Sequence, residues 1–329
     1  MIAEKIMYKG GECIKLENSR FIVLVAPSMG SSIFRFFYKN RQEDIFCFNE
    51  DATMEQLKKY GIVIGLPTLF LPNRLKHGKL HVSDYDYQLP INDKFGDNFI
   101  HGFLHTRQFQ VEKMVATERS AKVVTFYEYN AEDEFFPYFP VKFRAVIEVE
   151  LLEEGLHYEF SVTNLSNRML PFGTGTHTSF HTHREKYKEY SNLFLPISSK
   201  VELDETNVAT GKLLPLGEEE QPYINGTKKI AGKAIDDEMY ALKQDSEFYG
   251  AVITNPITKM KIMNEVSKEY GFFVLWNCGG NMDFSCIEPM TWMINAPNLS
   301  YNKEKSGYVE LAPNESKKVY QNFWIKEEQ

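Results

Sequence analysis

Between residues 141 and 162 the chain alternates apolar and polar side chains with a period of two. Val141, Phe143, Ala145, Ile147, Val149 and Leu151 are apolar, with Lys142, Arg144, Glu148 and Glu150 between them. After Glu153-Glu154-Gly155 the pattern resumes at Leu156, Tyr158, Phe160 and Val162. Successive side chains of a strand point to opposite faces, so the two runs predict a β-hairpin with one face buried. Strand-like runs at 21–26, 121–129, 248–254, 258–264, 271–276 and 317–325 extend the pattern, and prolines and glycines punctuate them. Helix signals are sparse. Residues 53–60 carry capping-box spacing (Thr53, Gln56), with Met54 and Leu57 on one face and Gly61 placed to close the end. A second short, charged helix is expected near 184–190. Without strand–helix–strand alternation or an internal repeat, the expected fold is all-β: a large antiparallel β-sandwich in one domain over residues 1–329.

The hydrophobic fraction of 43% is enough to bury a large core. The acidic excess, 45 against 37 and a net charge of −8, argues against a nucleic-acid partner. The longest apolar runs, 21–26 and 272–276, are strand-sized and far short of a membrane span. Cys13, Cys47, Cys278 and Cys286 form no C-x-x-C pair, and the opening residues lack the apolar stretch of a signal peptide. A reducing cytoplasm is the expected location, and a monomer or homodimer the expected state.

Chemistry-bearing residues gather in three stretches. In the first, Asn73-Arg74 follows an apolar run, and Asn98 precedes His101 by three residues, with Gly102 allowing close backbone approach. The second, Pro171 to Glu185, holds His177, His181, His183 and Glu185. Its Gly173-x-Gly175 lacks the third glycine and the following helix of a phosphate loop. Its histidines and Glu185 offer ligands for a divalent metal, but the glutamate falls earlier than in the cupin arrangement, so no metal is expected. The third is Cys286-Ile287-Glu288-Pro289. A residue before proline favours extended backbone, which gives Glu288 a fixed direction, and taken alone it reads as an exposed strand-end carboxylate.

Together these pieces resemble the aldose 1-epimerase (galactose mutarotase-like) family over nearly the whole chain. FIVLVAPSMGSSIFRF resembles its opening strands; Asn73-Arg74 matches its N-R element and Asn98-x-x-His101-Gly102 its N-x-x-H-G element. Pro171-Phe172, Gly175-Thr176-His177 and Phe180 resemble the P-F-x-x-G-x-H-x-x-F stretch. Ile235-Asp236-Asp237-x-x-Tyr240 resembles the D-x-x-[FY] element, and Cys286-Ile287-Glu288-Pro289 the stretch with the C-terminal glutamate. Gly102 is followed by Phe103-Leu104-His105 where many members have a second glycine, and H-G-F resembles a branch that includes hexose-6-phosphate epimerases.

The resemblance implies a cofactor-independent isomerase that interconverts the α and β anomers of a hexose. Glu288 would be the base and His177 the acid, with His101 beside the ring oxygen or the C1 hydroxyl. Arg74, Asn98 and Asp237 would hold sugar hydroxyls, Asp236 being the competing choice for the last. An aromatic ring is expected under the apolar sugar face. Two further readings keep the fold: a hexose-6-phosphate 1-epimerase, with Arg107, Lys76 or Arg184 as phosphate clamp, and a sugar-binding protein without turnover. A third, a cupin-like metal enzyme, would use His181 and His183.

Overall fold

The computed structural model describes residues 1–184, 189–230, 232–299 and 303–327, and for residues 183, 184, 189, 190, 303 and 304 the backbone alone. Phe143–Leu151 and Gly155–Asn164 form the predicted hairpin, in register from Phe143 opposite Asn164 to Leu151 opposite Leu156. Every second residue of Phe143–Leu151 is fully buried, as the alternation requires. Gly155 opens the return strand, where a Cβ would lie 2.0 Å from the Phe323 carbonyl oxygen. Only glycine lets Ser316–Glu327 approach that closely.

Phe21–Ala26 and Ala121–Tyr129 coincide with the expected runs. Gly250–Thr254, Met260–Val266, Phe272–Trp276 and Ser316–Glu327 differ at their ends by one or two residues. The predicted helix is present as Met54–Lys59: the Thr53 hydroxyl accepts from the Gln56 amide and the Gln56 side chain from the Thr53 amide. Gly61 does not end it; Tyr60 is the C-cap, and Gly61–Val63 continue as a 3-10 turn. The second expected helix is absent where the chain is described, because His183–Arg184 pairs antiparallel with Glu189–Tyr190; residues 185–188, Glu185 included, lie outside the described residues.

Among the described residues the strands build a nine-stranded sheet around Phe143–Leu151 and Ser316–Glu327, and an eight-stranded sheet around Phe272–Trp276 and Phe284–Met290. A five-stranded sheet from the first 44 residues and four two-stranded pairs complete them. The two large sheets form a sandwich. The Phe70 ring, next to Thr68–Leu69 of the smaller, stands 5.2 Å from Phe143 and 6.0 Å from Phe160 of the larger. Thr68 and Tyr158 share a hydroxyl–hydroxyl bond of 2.6 Å, and the Gln321 amide donates to the Thr176 hydroxyl at 2.8 Å. Each such buried aromatic contributes roughly 1.5–3 kcal/mol of transfer free energy, while the paired hydroxyls and amide keep the core's polar atoms satisfied. No helix of the described residues is long and apolar enough to cross a membrane.

Candidate active site

All seven residues of Phe284–Met290 are buried, so Glu288 is not the exposed strand-end carboxylate its local sequence suggests but a mid-strand group only 1% exposed. Alternation puts Phe284, Cys286 and Glu288 on one face. Val274 and Trp276 of the neighbouring strand stand opposite Glu288 and Cys286. On the other side, Gly175 pairs with Met290 and Ser179 with Cys286, which suspends His177 across from Glu288. The His177 Nε2 lies 3.4 Å from the Glu288 Oε1. The His101 ring meets His177 edge to face, with centroids 5.2 Å apart, and Trp276 flanks His177 at 6.1 Å.

His101 follows Phe99–Ile100, which pairs with Arg74–Leu75, and its amide donates to the Asn73 carbonyl at 3.0 Å. Both His101 and Gly102 have left-handed backbone, at φ 65° and 64°. A Cβ on Gly102 would lie 2.0 Å from the Phe70 carbonyl oxygen. Gly102→Ala therefore displaces the His101 turn and costs at least about 1–2 kcal/mol. The expected result is a lower thermal midpoint; an unchanged one would contradict this role for the glycine.

Arg74 binds two carboxylates: its Nε donates to Asp93 at 2.8 Å and its Nη1 to Asp237 at 2.5 Å. The Asn207 amide donates to the same Asp237 oxygen at 3.2 Å. Asp237 is 9% exposed, whereas Asp236 faces solvent. Asn98 is fully buried and its amide donates to the Phe95 carbonyl at 2.9 Å, which closes its own loop; its Oδ1 is buried without a partner. His101, His177 and Glu288 likewise each keep one buried polar atom unpartnered: Nδ1, Nδ1 and Oε2. Buried polar atoms normally find partners, so these four atoms mark the cluster as a candidate binding site.

Burial also sets the charge states. It pushes the Glu288 carboxyl well above its ordinary value, reinforced by the charge of Asp237 and opposed by Arg74. His177 is lowered to about 4, chiefly by burial and further by His105. His101 is pushed well down by burial, with His177, His105 and Arg74 adding to it. Burial raises Asp237 while Arg74 pulls it back, and two carboxylates hold Arg74 charged against the cost of its own burial. Burial thus favours the neutral form of each group, the protonated carboxyl of Glu288 and the neutral imidazole of His177. A carboxylic acid within 3.4 Å of a neutral imidazole can exchange a proton with it without changing the net charge of the pair.

The structure thus brings five of the six predicted residues into contact chains, Glu288–His177–His101 and Arg74–Asp237, while the Asn98 side chain bonds within its own loop. Sequence reasoning missed Asp93, Asn207 and Trp276, and it named Cys286 and His105 within motif stretches without assigning either to the site. One ligand atom each from His177, Cys286 and Glu288 lie within 4.8 Å of one another, the metal-type cluster found among the described residues. Burial pushes the Cys286 thiol up as well, and it hydrogen-bonds Ser179 at 3.2 Å, so a cation there would have to displace protons from two neutral groups. His181 is held apart from this cluster: its Nε2 accepts from the Phe48 amide at 3.4 Å, and its Nδ1 lies 3.5 Å from Asp283. The side chain of His183 lies outside the described residues.

The molecule is thus a large antiparallel sandwich with His177 and Glu288 buried side by side on its strands. The family model described as Aldose 1-epimerase matches residues 12–324, and the chain belongs to that family. It is similar over 100% of its length to 99% of a galactose mutarotase-like protein from Clostridium acetobutylicum, with a TM-score of 0.94 and 28% identity. It shares the fold of a galactose 1-epimerase from Lactobacillus acidophilus NCFM, at a TM-score of 0.79 and 16% identity over the whole of both chains. A curated relative, the uncharacterized protein YihR of Escherichia coli (strain K12), is 28% identical over 186 residues, and the match spans 56% of each chain.

Proposed function

We propose that the protein is an aldose 1-epimerase that interconverts the α and β anomers of a free hexose, with residues 1–329 acting as one catalytic unit. Ring opening requires removal of the C1 hydroxyl proton and protonation of the ring oxygen. Rotation about C1–C2 and closure on the other face complete the exchange. Glu288 serves as base at the C1 hydroxyl and His177 as acid at the ring oxygen. Closure uses the same groups in reversed roles, so the pair ends each cycle as it began. In the sugar-free cleft the proton rests on Glu288, and it passes to His177 when sugar hydroxyls donate to the carboxyl and favour its anion. His101 stands beside both to bond the ring oxygen or the C1 hydroxyl. Arg74 and Asp237 hold vicinal hydroxyls through charge-assisted bonds, Asn98 offers its free oxygen, and Trp276 is the aromatic wall.

The observation that carries this reading is the Glu288–His177 pair, 3.4 Å apart, nearly buried, with its two ordinary pKa values driven past one another. The free hexose is favoured over a phosphorylated one by the state of the available cations. Arg107 is bound bidentately by Asp133 at 2.7 and 2.9 Å, and Lys76 by Asp204 at 2.6 Å. The side chain of Arg184 lies outside the described residues.

A pH profile of anomer exchange, on glucose and on glucose 6-phosphate, tests the reading. One shared proton predicts a plateau across neutral pH. The acid limb falls where His177 takes a second proton, near 4, and the alkaline limb lies well above the ordinary carboxylate range, where Glu288 loses its proton. A rate that rises through an ordinary histidine value near 6.5, or acceleration of the phosphorylated sugar alone, would contradict it.

A further inference from the structure

Cys286 has no part in the exchange chemistry, yet it stands beside the two groups that do. It lies two residues before Glu288 on the same face of Phe284–Met290, and Ser179, its partner in register, is two residues from His177. All three side chains are buried, His177 keeping 6% of its surface open, and one ligand atom of each lies within 4.8 Å of the other two. Thiolate, imidazole and carboxylate are the donors that zinc takes, and three of them with a fourth position left to water make an open tetrahedral site. The spacing agrees. Zinc bonds of about 2.0–2.2 Å to nitrogen and oxygen, at a tetrahedral angle, hold those two atoms about 3.4 Å apart. The His177 Nε2 and the Glu288 Oε1 are 3.4 Å apart. The Glu288 Oε2 is buried with no partner, which leaves the carboxyl short of an interaction that a cation would supply.

We propose that His177, Cys286 and Glu288 form a binding site for a thiophilic divalent cation, zinc or cobalt(II), which silences the protein by occupying its acid–base pair. The silencing rests on reading that pair as the anomer-exchange machinery; the binding does not. Coordination sends the thiol and carboxyl protons to solvent, and the resulting two anions match the two charges of the cation. The filled site therefore buries no net charge. The Ser179 hydroxyl, 3.2 Å from the Cys286 Sγ, is placed to donate to the thiolate and steady it. Magnesium and calcium, which take oxygen ligands, are expected not to bind.

The test titrates cobalt(II) chloride into the full chain, free of any histidine tag, and follows the near-ultraviolet thiolate-to-metal band, which needs no turnover. One equivalent is expected to saturate the band in the wild type, and Cys286→Ser to abolish it although Cys13, Cys47 and Cys278 remain. No band in the wild type, or a band that survives in Cys286→Ser, would overturn the site. Should that variant fail to fold, Glu288→Gln decides, since an unchanged cobalt affinity there would overturn the site equally. Anomer exchange of galactose and glucose is then measured against zinc chloride. Zinc is expected to slow exchange by about tenfold or more, in competition with the sugar, and a chelator to restore it. Cys286→Ser should need about tenfold or more extra zinc to halve its own uninhibited rate. If the band follows Cys286 but zinc leaves an accelerated exchange untouched, the silencing is overturned. If the band follows Cys286 and neither sugar exchanges faster without metal, the site stands and the anomer-exchange reading falls.

Discussion

Glu288→Gln is expected to reduce anomer exchange by about 10²–10⁴-fold, the usual contribution of a positioned proton-transfer group. Glutamine keeps the volume and hydrogen-bonding shape of a protonated carboxyl but cannot pass a proton. Because burial favours the protonated Glu288 carboxyl in the folded protein, the substitution should leave the fold and its thermal midpoint at about pH 4 unchanged. The two proteins should part as pH rises. A carboxyl whose folded pKa lies above its unfolded value, near 4.3, contributes stability that is full below that value and is lost as pH climbs towards the folded one. The wild type should therefore lose stability with pH more steeply than the glutamine variant. Thermal melts across pH together with exchange rates check both halves. A fully active variant would remove Glu288 from the chemistry, and identical pH slopes would deny that its carboxyl is protonated in the fold.

The second large effect belongs to Arg74. Its guanidinium lies between Asp93 and Asp237, with all three side chains 11–13% exposed. Removing one partner of a buried ion pair leaves its charge uncompensated and costs about 3–5 kcal/mol. Here Arg74→Met leaves two carboxylates facing one another, so the loss should reach that range and the affinity for sugar should fall with it. The sign of its pH dependence is specific. Without Arg74, which now pulls it down, the folded-state pKa of Asp237 rises further, so the variant recovers stability as pH falls and that carboxyl protonates. Urea unfolding of wild type and variant at two pH values measures this. Equal stability at neutral pH, or a variant that recovers nothing in acid, would show that the three groups are not coupled.

What the sequence conveys and what it withholds divide along sequence distance. The hairpin 141–162 is readable because its signal, a period of two, is local and one face is buried; the helix at Met54–Lys59 is readable because a capping box spans four residues. The charged stretch 184–190 misleads for the same reason. Its composition permits a helix, while pairing of His183–Arg184 with Glu189–Tyr190 is settled by the surrounding chain. The motif residues Arg74, His101, His177, Asp237 and Glu288 can be found one by one, but their relation to each other cannot. Asp93 and Asn207 reach the Arg74–Asp237 pair from distant loops, and Trp276 and His105 reach His177 only through the folded sheet. The upward push on the Glu288 carboxyl is equally hidden, because it depends on burial that its position before a proline does not announce. Asn98 lies between these cases: its motif marks it, yet its amide closes its own loop by donating to the Phe95 carbonyl.

The account stands or falls on whether the protein exchanges anomers of a free hexose. One-dimensional magnetisation-transfer NMR at the anomeric protons of galactose and glucose, with and without a small amount of protein, measures this without a coupled assay. The account predicts faster α–β exchange for at least one of the two sugars and none of that acceleration with Glu288→Gln. Exchange at the uncatalysed rate for both sugars, or acceleration that survives in the variant, would contradict it.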